Sequence, residues 1–103
     1  MKPTAANQIQ YILLDKIVSD TSSNTEGEKL YLALLQAKLE NTTIVLTAHQ
    51  DHSFSSSFLN SSIGRLVDDY GVDSFKSNFR FKGSKAQFEK ISNYLVVYES
   101  IYS

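Results

Sequence analysis

The stretch from Thr42 to Gly71, TTIVLTAHQDHSFSSSFLNSSIGRLVDDYG, constrains this chain more than any other. Its first part, Thr43 to Ala48, is a nearly unbroken run of apolar and β-branched residues. Such a run is expected of a central strand covered on both faces, as in parallel sheets. The polar loop that follows, His49 to Phe54, would lie at the strand's carboxyl end, where open α/β sheets place their ligands. A helix then begins in Ser55-Ser56-Ser57. At about 100° per residue, Leu59, Ile63, Leu66, Val67 and Tyr70 share one arc, with Phe58 at its margin. Ser61, Ser62 and Gly64 keep part of the helix small, for close approach by a neighbour. Asn60, Arg65, Asp68 and Asp69 fall on its outer side, and Gly71 is placed as a left-handed cap.

The flanking segments supply partners for that unit. From Ile9 to Val18 the chain is rich in strand formers, with Ile9, Tyr11 and Leu13 at period two. Asp15-Lys16 marks a bend or the strand's end. After the turn-forming SDTSSN, Thr25 to Glu28 has the spacing of a capping box. The helix it opens is expected to run to about Glu40, with Leu30, Leu34 and Ala37 on one face. Further on, Phe79 and Phe81 alternate with Arg80 and Lys82, a short strand over Asn78–Lys82. A second capping box, Ser84 to Gln87, opens a last helix with Phe88, Ile91, Tyr94, Leu95, Tyr98 and Tyr102 on one side. Val96, Val97 and Ile101 fall outside that stripe, so this helix is a candidate surface for self-association as a homodimer or for a partner. The order β-α-β-α-β-α, with right-handed crossovers, predicts an α/β fold: a small sandwich with parallel strand pairings and helices packed on the sheet.

Bulk properties bound the function. The 103 residues make one domain, 1–103, with residues 1–8 and Pro3 expected to be a disordered lead-in. A net charge of −1 supplies no long-range pull toward nucleic acid or an anionic membrane. With no cysteine there is no disulfide, thiolate metal site or cysteine nucleophile. The first residues form no sustained apolar run, so neither a signal peptide nor a membrane span is expected, and the expected location is cytoplasmic. His49, Asp51 and His52 are the residues a metal or a small active site would use, but their spacing matches no ligand motif. No metal, cofactor or enzymatic activity is therefore expected. The basic segment between Lys76 and Lys90 is expected to be solvated surface rather than a nucleic-acid site.

The central stretch resembles the prokaryotic STAS-like domain family of uncharacterised function, whose fold is that of anti-anti-sigma factors and of the cytoplasmic tails of sulfate transporters. The resemblance rests on the strand Ile44–Ala48 and on SFSSSFLNSSIGRLVDDYG from Ser53 to Gly71, above all Ser-Ser-Phe-Leu-Asn with Ile63-Gly64-x-Leu66. Gly27-Glu28-Lys29-Leu30-Tyr31 is similar too, and the likeness covers about four fifths of the chain. It implies a small regulatory module that docks a protein, often a histidine-kinase-type ATPase acting as a serine kinase. In anti-anti-sigma factors the phosphorylated serine opens the helix after the central strand. By position Ser57 is the nearest equivalent, and a one-turn slip nominates Ser61 or Ser62. This chain lacks the usual Asp before that serine and carries Phe58 where a small residue is usual. The partner-binding residues nominated are His52, Ser55, Ser56, Ser57, Asn60, Ser61 and Arg65. Competing readings are a stand-alone steric inhibitor or decoy of a host or phage enzyme, and a small enzyme or metal protein built on His49, Asp51 and His52.

Overall fold

In the computed structural model the backbone is described for residues 8–102 and side chains for residues 8–100; the lead-in at 1–7 and the side chains of Ile101 and Tyr102 lie outside that range. The order is β1 (Ile9–Leu13), a 3-10 turn (Leu14–Lys16), α1 (Asn24–Leu39) and β2 (Thr43–Thr47). There follow α2 (Ser56–Ser61), α3 (Ile63–Tyr70), α4 (Val72–Ser77), β3 (Phe79–Lys82) and α5 (Lys85–Tyr102). The three strands form one sheet in the order β1-β2-β3, parallel throughout. This is the α/β sheet with parallel pairings that the sequence predicts.

A sheet that grows always in one direction, through right-handed crossovers, puts every crossover helix on the same face. Ile44 and Leu46 of β2 accordingly point into the core with Leu30 and Leu34 of α1, Phe58 and Leu59 of α2, Ile63, Leu66 and Val67 of α3, and Ile91 and Leu95 of α5. Ile12, Phe79 and Phe81 pack against the same cluster. On the opposite face, Ile9, Tyr11 and Leu13 are 54%, 71% and 51% exposed, and no helix of the described residues covers them. The expectation that helices would cover β2 on both sides is corrected to two layers. Outward-facing Val45 is nonetheless buried, flanked in register by Tyr11 and Arg80.

Local chemistry moves several boundaries. Ser23, not Thr25, caps α1: its Oγ accepts the Glu26 N–H at 3.2 Å, and its own N–H is taken by Asp20. Glu26 does not close a reciprocal box; its Oε1 accepts the Ser19 N–H at 2.5 Å and anchors the preceding turn instead. The helix expected from Ser55 to Tyr70 is interrupted at Ser62 (φ −115°, ψ −87°). The hydroxyls of Ser61 and Ser62 donate to the Phe58 carbonyl, Ser62 at 2.7 Å, so side chains take over the acceptor that a continued helix would use. Gly71 follows at φ +90° and ψ 159°, a conformation open to glycine but outside the left-handed helical well that the expected cap would occupy. The chain then makes α4, for which the sequence sets no period: only Val72 and Phe75 mark its buried side. The box at α5 is complete, Ser84 accepting from Gln87 N–H and Gln87 Oε1 accepting from Ser84 N–H. Phe88, expected on the buried side of α5, is exposed.

Candidate protein-docking site

The nominated residues divide between two places. Asn60, Ser61 and Arg65 line one open depression together with Asn24, Thr25 and Glu28 at the start of α1. This surface exists because α1 and α2 come unusually close. A Cβ at Gly27 would overlap the Ser61 hydroxyl and lie 2.8 Å from the Phe58 carbonyl oxygen. Only glycine permits that contact without displacing one helix.

Arg65 is the best-defined cation there. Its guanidinium lies 4.0 Å from the centroid of the Tyr31 ring, and its Nη1 donates to Glu28 Oε2 at 3.1 Å. Stacking and a carboxylate partner hold a long side chain that would otherwise sample many rotamers. Tyr31 donates its own hydroxyl to Asp69 at 3.1 Å. Burial, and then the Asp69 carboxylate, push the Tyr31 phenol above its ordinary pKa.

The serines have distinct roles. Ser55 is the α2 cap: its Oγ accepts the Phe58 N–H at 3.0 Å and donates to the Ser22 carbonyl at 2.9 Å. Ser56 and Ser57 are exposed on the first turn. Ser61 donates to the Ser57 carbonyl at 2.9 Å and is half-buried beneath Gly27. Ser62 is 0% exposed, so the fold withdraws it as a candidate for modification. Because α2 has only six residues before the break, it offers a phosphate a weaker positive end than the long helix expected from the sequence.

His52 stands apart, lining a second depression with Gln50, Ser53, Ser84, Gln87 and Lys90. Its loop is held by Gln87, a buried side chain whose Nε2 donates to the carbonyls of His49 at 2.5 Å and His52 at 2.7 Å. His49 is exposed, with Nε2 3.8 Å from Asp15 Oδ2, and its ring centroid is 6.1 Å from that of His52. Among the described residues no three His, Asp or Glu side chains gather where they could hold one ion.

Sequence reasoning missed the tyrosines. Asp68 and Asp69, which look like a solubilising pair, accept hydroxyls from Tyr98 of α5 and Tyr31 of α1. Asn60 Oδ1 accepts from Tyr94 at 2.7 Å. The outer polar residues of α2–α3 thus latch both flanking helices. The i, i+4 spacing of Tyr94 and Tyr98 carried a signal, since half-buried phenols need partners for their hydroxyls.

The family described as "STAS-like domain of unknown function (DUF4325)" matches residues 26–87, from the first turn of α1 to the first turn of α5. The chain belongs to this STAS-like family. The match takes in Gly27, the serine run, Asn60 and Arg65, and leaves out β1 and most of α5, so it is shorter than the four fifths over which the sequence resemblance was drawn. No curated protein and no solved structure matches the chain. No helix among the described residues of this STAS-like domain is long and apolar enough to cross a membrane.

Proposed function

We propose that this STAS-like domain is a non-enzymatic regulatory module of the cytoplasm that docks a protein partner on the surface shared by α1, α2 and α3. The observation carrying this reading is the gathering of Asn60, Ser61 and Arg65 beside Asn24, Thr25 and Glu28, with Arg65 fixed on Tyr31. Preorganised, partly exposed polar groups beside an aromatic ring are what a recognition surface needs, because little side-chain entropy is lost on binding. By the family resemblance, the partner is a histidine-kinase-type ATPase. Ser57, exposed at the edge of this surface, is the proposed phosphorylation switch; its added charge, about −2, would repel an acidic or apolar partner.

The test is capture of partners from native lysate by the full chain, with mass spectrometry of both partner and serines. A partner retained by the unmodified chain and by Ser57→Ala, but lost on Ser57→Asp and on Asn60→Arg, supports the reading. Capture unaffected by Asn60→Arg and Arg65→Glu overturns it. Binding that survives both Ser57→Ala and Ser57→Asp but fails with Arg65→Glu keeps the docking surface without the switch, as a steric inhibitor would.

A further inference from the structure

The outer face of the sheet is a feature the docking site leaves unused. It lies on the layer opposite α1, α2 and α3, so whatever it binds leaves the first surface free. All-parallel sheets almost always have both faces covered, because each face carries side chains that gain from leaving water. Here, among the described residues, the covering helices all stand on one side. The opposite side is chemically graded: β1 presents Ile9, Tyr11 and Leu13, Val45 of β2 lies buried between Tyr11 and Arg80, and β3 presents Arg80 and Lys82. No outward position of the three strands carries a carboxylate. Arg80 Nη1 is held at 2.9 Å by the Lys76 and Phe79 carbonyls, which fixes its guanidinium on the β3 rim.

We propose that this face docks an amphipathic α-helix of a partner polypeptide whose apolar stripe is flanked on one side by acidic residues. The dimensions suit such an occupant. Outer strands about 10 Å apart match the width of one helix, and strands about 16 Å long match about three helical turns. The apolar stripe lies along Ile9, Tyr11 and Leu13 of β1, and the carboxylates of the flank meet Arg80 and Lys82. Two of the three β1 side chains are aliphatic, which favours a packed helix over stacked nucleobases. Both cations on one rim set the polarity of the flank: a basic helix of the same shape meets like charge.

The test uses the full chain and two synthetic helical peptides of about three turns. They share one leucine stripe; one is flanked by glutamate and the other by lysine. In an amide-resolved NMR titration the glutamate peptide is expected to shift Tyr11, Val45 and Lys82 and to bind about tenfold tighter than the lysine peptide. Arg80→Glu with Lys82→Glu should reverse that order, and Tyr11→Ser should weaken both peptides while leaving the fold, followed by circular dichroism, unchanged. Equal binding of the two peptides, or shifts confined to α1–α3, overturns the proposal. So does a single-stranded oligonucleotide that shifts the same amides more strongly than the glutamate peptide. A concentration-dependent dimer abolished by Tyr11→Ser would assign the face to a second copy and overturn it too.

Discussion

On β1, Ile12 turns toward the helices and packs on the core, while its neighbours Tyr11 and Leu13 stand in water on the other face. On β2 the same alternation sends Ile44 and Leu46 inward and Val45 outward. On β1 and β2 apolar residues stand on both faces, and only on β3 do phenylalanines face the helices and cations face away. The inner face carries the core, while among the outward strand residues only Val45 is buried. Hydrophobicity at period two therefore does not say which face of β1 is core, although on β3 it does.

The sharpest way to break that comparison is to truncate one residue on each face. Leu46→Ala removes a buried side chain from the centre of the core and is expected to cost about 2–5 kcal/mol, a large share of a small domain's stability. Leu13→Ala, similar in chemistry but outward, should change stability by no more than about 0.5 kcal/mol. Urea denaturation of both variants decides it; a comparable loss from Leu13→Ala would mean the outer face is covered.

Next in size is the contact that brings the inner-layer helices together. Gly27→Ala gains helix propensity yet places a methyl group against Ser61 Oγ and the Phe58 carbonyl. Overpacking of this kind costs about 1–3 kcal/mol, more than the gain. Adding Ser61→Ala removes one of the two clashing groups and should restore part of the loss in thermal melts. Full recovery would show that the backbone contact with Phe58 carries no strain.

These residues also show what was legible in the sequence. The TIVLTA run placed the central strand correctly because a parallel strand in the middle of a sheet is apolar whatever surrounds it. Ser84–Gln87 was legible as a box because both partners lie within one turn. Ser23 was not, since Thr25–Glu28 offered the same spacing and the choice was made by Asp20 and Ser19, which bind the turn before the helix. The break at Ser62 depends on hydroxyl rotamers that no hydrophobic period records. For the docking surface, the sequence named Asn60, Ser61 and Arg65 but not Glu28 or Tyr31, which fix Arg65 from a segment more than thirty residues away.

A smaller effect separates the two partners of the box that opens α5. Ser84→Ala removes a cap and should cost about 1 kcal/mol. Gln87→Ala removes the same box and also strands the His49 and His52 carbonyls, so about 1–3 kcal/mol is expected, with faster amide exchange in the loop 49–52. Equal costs for the two variants would show that the loop carbonyls find other partners.

The smallest effect is read in acid and concerns how the inner layer is anchored. The Lys29 ammonium, and then the Ser19 N–H, hold the Glu26 carboxyl below its ordinary value of 4.5. A carboxyl with a lowered folded pKa binds fewer protons folded than unfolded in that range, so acid favours the unfolded chain. Its stabilisation is present in full above the ordinary value and is lost as pH falls through the lowered one. Glu26→Gln should be less stable at neutral pH, and its stability should fall less steeply than that of the unaltered chain below about pH 4.5. Asp20, lowered chiefly by the Ser22 N–H, titrates in the same direction and must be kept intact in both proteins. Parallel pH curves for the two would place the anchoring of α1 in the Ser23 cap alone.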